Sequence, residues 1–175
     1  MESIFENAES LTESLNNEVL DKAKNQALGY IAARMRTRHE VAAYLYKKNY
    51  ADDMVQEVLA FLERYQYLDD AAYCRAWIHD KLQFHPCGRK KLAAELSKKV
   101  ADRQLVQVSI ESYYSVEQEL EYAQTAAMQK MNSRTGAKQI TRQQLARFLY
   151  SRGYGSNIIE SVLSSIDFSA SPEEF

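Results

Sequence analysis

Arg38, Arg89 and Arg142 each directly follow a residue type able to start a helix, namely Thr37, Gly88 and Thr141. The three pairs recur at a spacing of roughly fifty residues. A cation in the first helical turn faces the positive end of the helix macrodipole, so local stability disfavours it there. Something must hold each arginine: an acid of a neighbouring helix, or an anion outside the protein. Arg34, Arg36, Lys90, Lys91, Arg147 and Arg152 lie close to these positions in sequence. Together the nine cations are the candidate contacts for a negatively charged partner such as nucleic acid. A solvated helix face is the competing account of any single basic run.

Other chemistry has less to stand on. Cys74, His79, His85 and Cys87 invite a metal reading, yet neither Cys-x-x-Cys nor His-x-x-x-His occurs. They read as buried thiols and partly exposed imidazoles. Asp69 and Asp70 are adjacent and project differently on a helix, so they suit capping better than proton sharing. Five scattered glycines form neither a phosphate-cradling loop nor a dinucleotide fingerprint. Serine, histidine and aspartate are present, but nothing orders them as a triad. No enzyme, no cofactor and no metal is expected; binding is what remains.

The elements that carry these residues follow from composition and periodicity. The chain has 175 residues, 46% hydrophobic and 26% charged, as a folded protein would. Its longest apolar run, Val41 to Tyr46, is too short to cross a bilayer. Two cysteines do not make a disulfide framework, so a reducing cytoplasm is expected. The net charge of −2 conceals segregation. Residues 1–20 hold five Glu and no Lys or Arg, whereas residues 130–152 hold Lys130, Arg134, Lys138, Arg142, Arg147 and Arg152 and no acid.

Ala43 to Leu59, "AYLYKKNYADDMVQEVL", is echoed by Arg147 to Leu163, "RFLYSRGYGSNIIESVL". A weaker third copy lies between them: Val41, Leu92 and Leu145 align, then Leu45, Leu96 and Leu149, then Tyr50, Val100 and Tyr154. Val55, Leu105 and Ile159 follow, then Val58, Val108 and Val162. This register makes the middle copy one residue shorter between Leu96 and Val100. Val55, Val58, Leu59 and Leu62 fall on one helical face. Thr37 with Glu40, and Thr141 with Gln144, fit capping boxes. Asn49 and Gly153 suit left-handed turns, and Asp52 and Ser156 are expected to cap the helices that follow. Further helices are expected over roughly 17–35, 70–83 and 116–132, with Asp69 and Ser115 capping the last two. The repeated tyrosines, Tyr46 with Tyr150 and Tyr50 with Tyr154, read as core-rim residues with wet hydroxyls.

The expected architecture is all-α, with three tandem three-helix repeats forming an elongated, curved helical array. An acidic, mobile segment over residues 1–16 would precede repeats at 17–66, 67–114 and 115–167, with a tail at 168–175.

Several stretches resemble one family. "YLDDAAYCRAWI", Tyr67 to Ile78, resembles the Gly-Tyr-Leu-Asp-Asp signature of the RecX regulatory proteins, and "GRKKLAAEL", Gly88 to Leu96, resembles the Gly-x-x-x-Ile/Leu-x-x-Glu-Leu stretch that follows it. "RMRTRHEVAAYLYKKNY" and "ARFLYSRGYGSNIIESVL" resemble the family's opening and closing segments. Asn49 and Gln66 stand where the family often has Gly, which bears on turn conformation. The resemblance implies a monomeric modulator of the RecA recombinase that binds the RecA–single-stranded DNA filament in its groove. It also implies suppression of ATP hydrolysis and strand exchange, in control of DNA repair and recombination. Single-stranded DNA would be met through the filament. A helix-turn-helix DNA-binding regulator and a helical scaffold binding only protein are the alternatives.

Overall fold

The computed structural model describes residues 2–132, 140–166 and 168. Arg134 and Lys138, within the basic stretch, and all of the tail except Phe168 lie outside these residues. Among the described residues there are nine helices and no strand. They run α1 (Glu2–Ala32), α2 (Arg38–Lys47), α3 (Asp52–Arg64), α4 (Asp70–Phe84), α5 (Arg89–Leu96), α6 (Arg103–Tyr113), α7 (Val116–Asn132), α8 (Arg142–Ser151) and α9 (Ser156–Ser164). The fold is all-α, built of three-helix repeats. It divides between Tyr73 and Cys74 into two compact units, the first holding α1–α3 and the second α5–α9, with α4 crossing the division.

In the first unit, α1, α2 and α3 pack on one another around Ala23, Ala27, Val41, Leu45, Val55, Val58, Leu59 and Leu62. In the second, α7, α8 and α9 enclose Ala123, Ala127, Leu145, Leu149, Tyr154, Ile158 and Val162. The middle repeat buries Cys74, Ile78, Leu92, Leu96, Val106 and Ile110. The first helix starts at Glu2, well before the expected position, so residues 2–16 continue it.

The caps form where the side chains require them. Thr37 and Thr141 each accept from the backbone N–H three residues on, and Glu40 and Gln144 close the two capping boxes. Asp69 accepts from the N–H of Ala72 at 2.8 Å, and Ser115 pairs reciprocally with Gln118. Asp52 and Ser156 are not caps: Ala51 and Gly155 hold those positions without side-chain bonds. The N–H groups of Val55 and Ile159 donate to Ala51 and Gly155, which closes the first turn one residue earlier than expected. Asp52 thereby enters the first turn, where the macrodipole favours a carboxylate.

The middle repeat needs a second correction. Asn49 (φ 65°) and Gly153 (φ 86°) are left-handed, and Tyr50 and Tyr154 donate five residues back, to Leu45 and Leu149. Val100 instead donates four residues back, to Leu96. The middle turn thus lacks the left-handed residue and regains its length before Asp102, which caps α6. Val106, Ser109 and Ile110 consequently take the buried places of Val55, Val58 and Leu59, while Val108, an expected anchor, is 51% exposed.

Candidate nucleic-acid interface

The arginine column has internal partners in every repeat. The guanidinium of Arg38 donates from Nε to Glu63 at 2.9 Å and from Nη2 to Gln56 at 2.8 Å. Its backbone N–H donates to Asp70 at 2.9 Å. Partial burial pushes the Asp70 carboxyl up from its usual range, while the bond from Arg38 opposes that shift. The backbone N–H of Arg89 donates to Glu119 at 2.9 Å, and its Nε lies 3.0 Å from the other oxygen of the same carboxylate. Its Nη2 donates to the Tyr114 carbonyl. Arg142 donates from Nη1 to the Leu163 carbonyl at 3.0 Å. Glu63, Tyr114 and Leu163 all lie at the C-terminal ends of the third helices. Each arginine therefore begins the second helix of its repeat and reaches the negative end of the third, which answers the dipole objection. No sequence signal singled out Glu119, a buried carboxylate.

The remaining candidates differ in freedom. In the first unit, Arg34 is exposed and 4.0 Å from Glu40. Arg36 lies over the Tyr30 ring at 4.1 Å, and that ring stacks on Tyr44 with centroids 4.2 Å apart, so this guanidinium is already occupied by aromatic contact. In the second unit, Lys90, Lys91, Arg147 and Arg152 are all exposed. The Lys90 ammonium sits 5.9 Å from the Tyr150 ring, and Arg152 lies over Phe148 at 4.8 Å.

Tyr150 joins these cations to a groove. It is 68% exposed and, with Arg142, Ala146, Arg147, Ile159 and Leu163, lines an open cavity of about 470 Å³ between α8 and α9. The equivalent place in the first repeat is filled. There Tyr46 donates to Asp52, Gln56 donates to both, and Arg38 bonds Gln56 and Glu63. The bond from Tyr46 lowers the Asp52 pKa, and the Tyr46 hydroxyl is raised by the same contact. The third repeat has Ser156 and Glu160 in place of Asp52 and Gln56, and the network does not form.

The tyrosine expectation divides. Tyr46 and Tyr150 are exposed, but Tyr154 is fully buried and its hydroxyl has no hydrogen-bond partner among the described residues. This hydroxyl is not wet, whereas Tyr50, after the equivalent left-handed turn, is half-buried. Burial pushes the Tyr154 pKa up to about 12. Tyr114 is also buried, and its hydroxyl donates to the Cys87 carbonyl at 2.9 Å. Cys74 and Cys87 are buried free thiols, and burial raises the Cys87 thiol pKa. His79 and His85 are exposed, and no group of three potential metal ligands occurs among the described residues. No described helix is long and apolar enough to cross a membrane.

Repeated three-helix units with an arginine clamp in each define a tandem helical-repeat protein. Family models described as the first, second and third three-helix domains of RecX match residues 23–62, 69–107 and 117–163 in that order. The chain belongs to the RecX family of regulatory proteins. It is 31% identical to the regulatory protein RecX of Halalkalibacterium halodurans over 95% of this chain and 63% of the relative's length. With the regulatory protein RecX of Prosthecochloris aestuarii it shares 30% identity over 83% of this chain and 93% of that one. The crystal structure of RecX from Lactobacillus salivarius superposes with a TM-score of 0.77 at 22% identity, covering 85% of this chain and 96% of that one. That structural likeness supports the fold alone. The relatives are named as regulatory proteins, not as enzymes.

Proposed function

We propose that this protein binds a RecA–single-stranded DNA filament and lowers its ATP hydrolysis and strand exchange, without catalysing a reaction of its own. It acts as a monomer in the bacterial cytoplasm, meeting single-stranded DNA through the filament. The observation that carries this reading is the match to all three RecX three-helix domains in order along the chain. Exposed cations add to it: Arg34 in the first unit, and Lys90, Lys91, Arg147 and Arg152 in the second, are the leading contacts. Arg36, Arg38, Arg89 and Arg142 are engaged by the internal contacts described above. A protein without catalytic groups of its own acts on a recombinase by binding one of its states better than another. A repeat protein that touches neighbouring protomers stabilises the state in which they are fixed, and so opposes turnover.

The test is a titration into recombinase, single-stranded DNA and ATP, following phosphate release and filament length. Hydrolysis should fall at well under one molecule of this protein per recombinase protomer. An unchanged rate at saturating binding would remove the inhibitor reading and leave a protein-binding scaffold.

A further inference from the structure

We propose that the seam between the second and third repeats holds a nucleotide, with its phosphate on Lys91 and Arg152 and its base stacked on Phe84. The seam is a backbone-to-backbone contact within the second unit. The N–H of Gly88 donates to the Arg152 carbonyl at 3.0 Å, and the N–H of Lys90 donates to the Gly153 carbonyl at 3.2 Å. The chains meet so closely that a Cβ on Gly88 would lie 2.2 Å from the Gly153 backbone. A Cβ on Gly153 would lie 2.4 Å from the Lys91 Cβ, so this turn backs the stem of Lys91 directly. The backbones that carry Lys91 and Arg152 are therefore fixed on either side of one joint by main-chain contact.

A cavity of about 630 Å³ opens at this joint, lined in part by Lys81, Phe84, His85, Lys91, Gln129 and Arg152. That volume lies within the range of small-ligand sites. None of its lining residues is a carboxylate. Lys81 is neutralised by Glu95 at 2.6 Å, but Lys91 and Arg152 have no ion-pair partner among the described residues. Two uncompensated cations converging beside a polar cavity favour an anion with spread oxygen charge, and a guanidinium matches phosphate especially well. Phe84 decides what the anion carries. It ends α4 at the cavity wall and is 66% exposed, where an apolar ring gains nothing from water. Cations beside an exposed aromatic ring are how sequence-tolerant nucleic-acid sites hold successive phosphates and bases. The Gln129 amide and the His85 imidazole supply hydrogen-bonding groups for a base edge. A purely acidic peptide would use the cations and leave Phe84 idle.

The inference goes beyond the proposed function because it requires no recombinase. Binding of a labelled short oligothymidylate to the full chain alone would be followed by fluorescence anisotropy across a salt series. Lys91→Gln combined with Arg152→Gln should weaken binding at least about tenfold and lower the log–log salt slope by about 0.7, the value for one phosphate contact on a single strand. Phe84→Ala should weaken it on the order of tenfold, with Phe84→Trp restoring it. Lys22→Gln, an exposed change in the first unit, should leave binding as it was. Competition by ATP, by unlabelled oligothymidylate and by tripolyphosphate identifies the source. Displacement by ATP assigns a free nucleotide, and displacement by the oligomer alone assigns a strand; either supports the site. Tripolyphosphate or polyglutamate competing as well as both, with Phe84→Ala silent, would reduce the seam to a general anion patch and overturn it. So would unchanged binding in the Lys91/Arg152 double variant at an unchanged melting temperature. The recombinase titration stands or falls separately.

Discussion

At the scale of single residues, arginine and tyrosine carry the physical lesson. Arg38, Arg89 and Arg142 occupy a position their own helix disfavours, because each guanidinium is long enough to reach the end of another helix. Tyr154 shows the opposite balance: its ring fills the core while its hydroxyl lacks a partner among the described residues. An unsatisfied buried hydroxyl costs stability, so Tyr154→Phe should leave the protein as stable or more stable, by up to about 1 kcal/mol at neutral pH in urea unfolding. The same residue sets an alkaline limit. Its folded pKa of about 12 lies above the unfolded value near 10, so its contribution is complete below about pH 10 and is lost as pH rises through 12. Tyr114, raised in the same direction by burial, adds to this loss. The wild-type protein should lose stability over that window more steeply than Tyr154→Phe.

At the scale of elements, the turns decide how helices meet. Gln66 adopts φ 58° in the turn after α3, a left-handed conformation that strains a residue bearing a Cβ. Gln66→Gly should relieve about 1–2 kcal/mol of strain against about 0.5–1 kcal/mol of added chain entropy, leaving a small net gain visible as a raised melting temperature. Gly88 is the reverse case. Its φ of −70° suits any residue, but the Gly153 backbone leaves no space for a side chain. Gly88→Ala should cost about 1–3 kcal/mol by overpacking and open the joint between the second and third repeats, measurable as faster hydrogen exchange at Gly88 and Lys90. In the cores, Leu92→Ala and Leu145→Ala should each cost about 2–5 kcal/mol, since both side chains are fully buried.

At the scale of the whole molecule, charge is distributed against the net value. The chain carries 22 Lys and Arg against 24 Asp and Glu, yet Lys90, Lys91, Arg147 and Arg152 gather on the second unit around Tyr150 and the glycine joint. A local positive field of this kind acts within about a Debye length whatever the total charge. Replacing Lys90, Lys91 and Arg147 together by Glu should weaken filament binding and flatten its salt dependence while leaving the circular dichroism and melting temperature unchanged. Adding Arg89→Glu should lower the melting temperature as well, because it leaves Glu119 buried without its cation. A triple variant that binds normally would make the patch a solvated face.

The sequence by itself determined what depends on neighbours along the chain. Helix periodicity, the Thr37–Glu40 and Thr141–Gln144 boxes and the left-handed turns at Asn49 and Gly153 are local, and each formed as its residue types require. The middle repeat slipped by one residue because a turn can shorten and recover its length without changing composition. Tertiary structure alone decided the partners of the arginine column, since Glu63, Gln56, Glu119, Tyr114 and Leu163 lie 18 to 30 residues away in the chain. It also decided the two cavities. The groove beside Tyr150 is open because Ser156 and Glu160 do not rebuild the polar network of the first repeat. The seam cavity exists because two glycines let backbones touch. Charge and burial at both places are sums over side chains from separate helices, and no pattern along one strand of sequence encodes such a sum.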